Sequence, residues 1–127
     1  MNKQQIFDAF NGYFSKTGIV EVDGEWRLLG KWCEIVPLED GLWDLWFHDT
    51  KDLSKPLNGH RMRIIRDILQ GTGAYTELDG EIYTQVHIRT INRYKRTLRK
   101  AGGFRKKKTY TNEQLAAMRE RLKGVKK

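Results

Sequence analysis

The chain has 127 residues, of which 39% are hydrophobic and 11% aromatic, which is enough for one domain with its own core. Its formal net charge of +8 is divided unevenly: residues 1–58 hold six Lys/Arg and ten Asp/Glu, whereas residues 59–127 hold eighteen and six. The basic second half predicts a polyanionic partner, which is DNA, RNA or an acidic protein surface. The alternative is a solubilising face followed by a basic tail.

Cysteine content and hydropathy exclude several classes of protein. Cys33 is the single cysteine, so an internal disulfide is excluded and a structural zinc site is not expected. The amino-terminal sequence MNKQQIFDAF lacks the apolar core of a signal peptide, and no apolar run approaches the length of a membrane span. We therefore expect a cytoplasmic location, or a nuclear one if the host has a nucleus, with no membrane association. No cofactor is predicted.

The first half of the chain predicts one helix and three strands. Apolar residues at helical spacing indicate a helix over residues 3–15 that ends at Thr17-Gly18. The run IVEVDGEWRLL predicts a hairpin, because Asp-Gly is the strongest short turn signal. We expect its second strand to continue to residue 36 with a bulge at Gly30, and a further strand to follow over residues 42–48 after the turn PLEDG.

The second half repeats this order. Asn58 is placed to cap a helix over residues 59–70, and a second Asp-Gly hairpin follows in AYTELDGEIYTQVHI. The segment TGIVEVDGEW resembles TGAYTELDGEI, so duplication of units 3–36 and 59–88 is one interpretation and chance similarity is the other.

These elements predict an α+β fold in which the two hairpins and the third strand form a small antiparallel sheet covered by two packed helices. Residues 1–103 form this domain in our interpretation, and residues 104–127 form a basic segment with a terminal helix. Thr111 and Gln114 suggest a capping box for that helix, with an apolar stripe at Leu115, Met118 and Leu122.

The most basic stretch, RTINRYKRTLRKAGGFRKKK at 89–108, contains a two-faced helix predicted over residues 90–101. At about 100° per residue, its apolar stripe is separated by about 150° from a row of cations. The stripe consists of Ile91, Tyr94, Leu98 and Ala101, and the row consists of Arg89, Arg93, Arg96 and Lys100. We expect Thr90 to cap the start of the helix and Gly102-Gly103 to end it. The predicted nucleic-acid contacts are Arg89, Asn92, Arg93, Arg96, Arg99, Lys100, Arg105, Lys106, Lys107 and Lys108.

Duplex DNA is slightly preferred over RNA as the partner, because the cations form one straight row. A helix of twelve residues is about 18 Å long and matches the major groove, where Asn92 would reach a base edge. With six phosphate contacts, log affinity would fall against log salt concentration with a slope of about −5. RNA is the other option, since Tyr75, Tyr83 and Tyr94 could stack on unpaired bases.

The pattern TINRYKRTLRKAGGF is similar to the recognition helix of winged-helix domains, which bind DNA. That family places a short helix and a turn before this element. Here the strand-like EIYTQVHI runs almost directly into Thr90, so membership of the family is not predicted.

A different class of function is an interaction protein, of the kind that phages encode to block host defence or transcription machinery. Its docking surface would be an aromatic patch on the acidic half, with a host protein or a protein–nucleic acid complex as partner. The alternative is that these side chains form the core on both sides of the sheet. The candidate interface residues are Trp26, Trp32, Trp43 and Trp46.

A metal-dependent nuclease is the third hypothesis. His48-Asp49 followed by Asn58-Gly59-His60 resembles a His–Asn–His nuclease, in which a strand and a helix hold the histidines around a metal. The acidic ligands are poorly spaced for such a site, and the leading prediction remains a protein without catalysis. The sequence does not indicate an oligomeric state.

Overall fold

The structure is a computed structural model that describes residues 1–71, 73–106 and 112–125, with side chains in the last segment described as far as residue 120. It confirms the predicted α+β class. The six strands form one antiparallel sheet in the order β1-β2-β3-β4-β6-β5. They are β1 (Ile19–Val22), β2 (Glu25–Leu29), β3 (Cys33–Pro37), β4 (Leu42–Phe47), β5 (Thr76–Leu78) and β6 (Glu81–His87). The helices are α1 (Lys3–Ala9), α2 (Gly59–Leu69), α3 (Ile88–Gly102) and α4 (Asn112–Val125).

Both predicted Asp-Gly hairpins are present. Asp23 and Gly24 have φ values of 52° and 82°, and Asp79 and Gly80 have 51° and 77°. Two successive left-handed residues form the turn whose twist matches that of the flanking strands. The hairpins lie at opposite edges of the sheet, and their origin by duplication stays a prediction.

The prediction of one long strand over residues 25–36 is wrong, because the chain turns back between β2 and β3 and the two strands pair antiparallel. The turn is held by the end of α3: Trp32 N–H donates to the carbonyl oxygen of Gly102 at 2.9 Å, and Lys31 N–H donates to that of Gly103 at 3.2 Å. Gly30 is buried there, and a β-carbon on it would collide with the Gly102 carbonyl oxygen and the Phe104 ring. The glycine therefore permits a close approach between two backbones and does not form a bulge.

The first helix is shorter than predicted. It ends at Ala9 because Asn11 and Gly12 adopt left-handed φ values of 54° and 67°. The Thr17-Gly18 pair lies in a 3₁₀ turn, Lys16–Gly18, instead of closing a helix over residues 3–15. The apolar face still forms core, since Ile6, Phe10 and Phe14 are all buried.

Three helices cover one face of the sheet. The contacts place α1 against β1 and β2, and α3 against β4 and β6, while α2 packs beside α3. Alternate residues of the strands face these helices, so that Trp43, Leu45 and Phe47 of β4 are buried. None of the helices in the described part of the chain is long and apolar enough to cross a membrane.

Residues 104–106 lie against this body. The Phe104 ring is buried and contacts the Phe14 ring with centroids 5.4 Å apart. In α4, residues 112–120 are exposed, including Leu115 and Met118 of the predicted stripe. Thr111 and the side chain of Leu122 lie outside the described residues, so the capping box and the full stripe stay predictions.

Candidate nucleic-acid interface

The basic helix α3 begins directly after β6. His87 is its N-cap: the backbone is extended there, and its side chain accepts a hydrogen bond from the Arg89 backbone N–H. The prediction of Thr90 as the N-cap is therefore wrong, because the helix begins two residues earlier, at Ile88, and His87 caps it. Gly103 ends the helix with a φ value of 68°, as predicted. The absence of a helix between β6 and α3 agrees with the departure from the winged-helix pattern.

On the sheet, α3 lies between α1 and α2. On one flank, Asn92 Nδ2 donates to the carbonyl oxygen of Ala9 at 2.9 Å. On the other flank, Arg61 of α2 donates to the carbonyl oxygens of Lys100 and Ala101 at 3.3 and 3.4 Å. The guanidinium carbon of Arg61 also lies 3.5 Å from the centre of the Trp32 ring. Burial lowers the pKa of Arg61 from its ordinary value. Among the faces of α3, the described residues leave the outer one for a partner.

That outer face carries the predicted row of cations. Ile91, Leu98 and Ala101 are buried against the sheet and the neighbouring helices. The residues of the row are exposed at intervals of four, three and four positions, and they are Arg89, Arg93, Arg96 and Lys100. The fifteen residues of α3 include six Lys/Arg and no Asp or Glu. Among the described residues, no ion pair involves a side chain of the row.

Asn92 and Arg99 do not belong to the row. Asn92 is half-buried and bonded to Ala9, so its amide faces α1 and not the surface where a base edge was expected. Arg99 is half-buried on the same flank, and its Nε donates to the Tyr13 hydroxyl at 3.2 Å. The reason is that α1 docks on this side of α3.

The basic segment after α3 is described in part. Arg105 and Lys106 are exposed, and Lys106 forms an antiparallel bridge with Phe14. Lys107 and Lys108 lie outside the described residues. Sequence reasoning missed Lys16 and Lys95, whose ammonium groups lie 4.8 Å from the Phe7 ring centre and 5.1 Å from the Tyr13 ring centre. No local signal in the sequence links residue 16 to α3, because the fold alone brings them together.

The four tryptophans occupy three different environments. Trp43 is 1% exposed in the core, and Trp26 packs at the edge of the same core. Trp32 lies beside Arg61 and Lys31 at the end of α3. Only Trp46 points from β4 to the sheet face opposite the helices. They therefore do not form one aromatic surface.

A polar and aromatic network crosses the uncovered face of the sheet. The Glu34 carboxylate lies 3.2 Å from Arg27 Nη1 and 2.7 Å from His48 Nε2. The Trp46 ring stacks on the His48 ring at 3.7 Å and on the Tyr83 ring at 5.7 Å between centroids. Burial and the hydrogen bond to Glu81 raise the pKa of Tyr83 above its ordinary value.

The two histidines of the nuclease hypothesis have different surroundings. His48 is 3% exposed, and its ring nitrogens contact Glu34 and the Asp49 carbonyl oxygen. His60 is exposed in the first turn of α2. In the part of the chain that the structure describes, no cluster of three His, Cys, Asp or Glu side chains could hold a metal ion.

Comparisons of the chain with protein-family models, curated proteins and solved structures gave no match. Its function is therefore inferred from the charges and contacts described above.

Proposed function

We propose that the protein binds nucleic acid without catalysis, and that the outer face of α3 is the contact surface. The observation that supports this is the exposed row formed by Arg89, Arg93, Arg96 and Lys100, for which the described residues provide no carboxylate partner. Like charges held in a line repel each other, and a polyanion along the row would remove that repulsion.

The row has the dimensions of a backbone contact. From Arg89 to Lys100 it covers eleven helical steps, or about 16 Å at 1.5 Å per residue. Phosphates follow each other at about 3.4 Å along the axis of one DNA strand. A row of this length therefore spans several successive phosphates of one strand.

The neighbouring helices decide how α3 can approach a duplex. Because α1 and α2 flank it on the same sheet face, α3 presents an outer face and not a protruding rod. Its contacts are expected to fall on phosphates, which orient a protein on nucleic acid but carry no sequence information. We therefore propose binding with little base preference, with duplex DNA as the preferred partner and RNA as the competing one.

The test is a pair of matched charge reversals. Arg93→Glu/Arg96→Glu changes the row, and Lys3→Glu/Lys55→Glu changes the net charge equally at two positions away from it. Fluorescence anisotropy with labelled duplex DNA, single-stranded DNA and RNA measures the affinities. We expect the row variant to lose at least about a hundredfold in affinity while the control loses much less. Equal losses would mean that net charge alone is responsible, and would reject the proposed surface.

A second candidate function has its own support on the uncovered sheet face. Tyr83, Leu42 and Leu78 are exposed there at 38%, 39% and 61%. The Trp46 ring stacks on the Tyr83 ring. Glu25, Asp44 and Glu81 lie on the same side, so nucleic acid would be repelled. This face suits a protein partner, as in a small phage-type inhibitor of a host complex. The function is supported if a protein partner is captured after nuclease treatment and is no longer captured by Tyr83→Ser/Leu78→Ser. Capture that these substitutions leave unchanged would reject this face as the docking surface.

A further inference from the structure

A basic groove opens beside the carboxyl-terminal end of α3, outside the row. Its volume is about 770 Å³, which is large enough for a nucleotide-sized ligand. In the described part of the chain, its polar lining consists of four cations and two hydroxyl groups and includes no carboxylate. These residues are Lys16, Arg99, Arg105, Lys106, Ser15 and Thr17. This is a convergent arrangement of charge and differs from the linear one on α3.

The fold builds the groove from three separate segments. Ser15 N–H donates to the carbonyl oxygen of Arg105 at 2.8 Å, and Phe14 and Lys106 form the adjoining bridge. The chain after α3 is thereby fixed alongside the chain after α1. Arg99 enters from the flank of α3. Phe7 and Phe104 supply the apolar part of the wall.

Three of the four cations of the groove, Lys16, Arg99 and Lys106, have neutral partners. Arg99 Nε donates to the Tyr13 hydroxyl at 3.2 Å, and Lys16 Nζ donates to the Gln4 side-chain oxygen at 2.8 Å. The ammonium of Lys106 lies 5.7 Å from the Tyr13 ring centre. Within residues 1–71 and 73–106, no ion pair neutralises any of them. Tyr13 and Gln4 therefore orient the cations while leaving their charge available to a ligand.

The hydroxyl pair provides one further donor. Ser15 Oγ and Thr17 Oγ1 are 2.8 Å apart, so one hydroxyl donates to the other. Whichever donates, the hydrogen of the second hydroxyl is left for a ligand in the groove. Ser15 Oγ also accepts from the Thr17 backbone N–H at 3.3 Å, which holds the turn in place.

The charge of the groove selects among phosphate groups. An internal phosphodiester carries one negative charge and suits the spaced cations of the row. A phosphomonoester carries about −1.5 to −2 at neutral pH and has three acceptor oxygens, which suits cations that converge with a hydroxyl donor. Arginine binds such a group through two parallel hydrogen bonds.

We propose that the groove binds a terminal phosphate of the nucleic acid whose internal phosphates lie along α3, with the attached nucleoside against the apolar wall. This inference rests on the proposed function, because it takes the ligand to be the end of the same nucleic acid that binds along α3. The same phosphomonoester chemistry is present in a free nucleotide, and the experiment separates the two sources.

The test measures affinities for a single-stranded 12-nucleotide DNA carrying a 5′-phosphate, a 3′-phosphate or neither, and for adenosine 5′-monophosphate alone. We expect a phosphate at one end to raise affinity roughly tenfold, the effect of one additional charged hydrogen bond. Lys16→Ala/Arg105→Ala, which changes two exposed side chains, should remove this gain. Lys16→Arg/Arg105→Lys should restore it. Circular dichroism and the melting temperature verify the fold of each variant.

The outcomes distinguish this inference from the proposed function. If Arg93→Glu/Arg96→Glu weakens all three oligonucleotides and neither terminal phosphate has an effect, the groove proposal fails alone. If Arg93→Glu/Arg96→Glu binds the oligonucleotides normally while Lys16→Ala/Arg105→Ala loses mononucleotide binding, the proposed contact surface on α3 is rejected. The groove then binds a free nucleotide and not the end of a strand. A terminal-phosphate gain that persists in the alanine variant would also overturn the groove.

Discussion

Asn92 of α3 donates a hydrogen bond from Nδ2 to the carbonyl oxygen of Ala9, the last residue of α1, at 2.9 Å. The carbonyl groups in the last turn of a helix have no partner within the helix, so this amide satisfies one of them. The bond joins α3 to the end of α1 at one point of their contact. The cation row faces outward because the opposite, apolar side of α3 is buried, with Ile91, Leu98 and Ala101 in the core.

The first prediction concerns this bond. Asn92→Ala leaves the Ala9 carbonyl oxygen unpaired at a partly buried position, so we expect a loss of about 1–3 kcal/mol in the free energy of unfolding. Affinity for nucleic acid should remain unchanged for the fraction that is folded. Urea unfolding and anisotropy measure the two quantities, with the exposed Thr97→Ala as control. A loss of affinity without a loss of stability would mean that Asn92 contacts the ligand after all.

The second prediction tests the contact between the β2–β3 turn and the end of α3. Gly30→Ala places a methyl group against the Gly102 carbonyl oxygen and the buried Phe104 ring, and the carbonyl oxygen cannot move without shifting the backbone. We expect a loss of about 1–3 kcal/mol or more. Gly59→Ala is the control, because nothing lies within 4 Å of the added carbon. It should leave stability unchanged or raise it by up to about 1 kcal/mol. Similar values for both variants would contradict the close approach.

A third prediction follows from the pair formed by Arg66 of α2 and Glu77 of β5. Arg66 Nε donates to Glu77 Oε2 at 2.9 Å, and this hydrogen bond lowers the pKa of Glu77 from its ordinary value of 4.5. A carboxylate with a lowered pKa stabilises the fold above its ordinary pKa and stops doing so as the pH falls through the lowered value.

We expect wild type to melt slightly above Glu77→Gln at pH 7, with a difference that shrinks below pH 4.5. The pair is exposed, so added salt should reduce the difference as well. Glu39→Gln is a control at an exposed position outside any described ion pair. A difference that is constant from pH 7 to pH 3 would show that the charge of Glu77 has no part in it.

Local sequence was sufficient for the hairpins and for the exposure of the row. The turns at Asp23-Gly24 and Asp79-Gly80 depend on residues that readily adopt left-handed φ values, which the sequence states directly. The outward face of α3 follows from the 3.6-residue period, since apolar and basic positions separate cleanly along it.

Tertiary contacts determined what the sequence did not predict. Two backbone N–H groups of the turn after Leu29, those of Lys31 and Trp32, donate to Gly103 and Gly102 about seventy residues later, and no local pattern predicts such a contact. The orientation of Asn92 depends on where α1 docks. The groove joins Lys16 to Arg99, and no periodicity connects positions so far apart in the chain.

The salt dependence of duplex binding tests the central claim most directly. With four phosphates neutralised by the row, log affinity should fall against log salt with a slope of about −3.6, at about −0.9 for each contact. Arg93→Glu/Arg96→Glu/Lys100→Glu should bind far more weakly and with a much shallower slope, while its circular dichroism spectrum matches wild type. A folded triple variant with the affinity and slope of wild type would contradict the assignment of α3 as the contact surface.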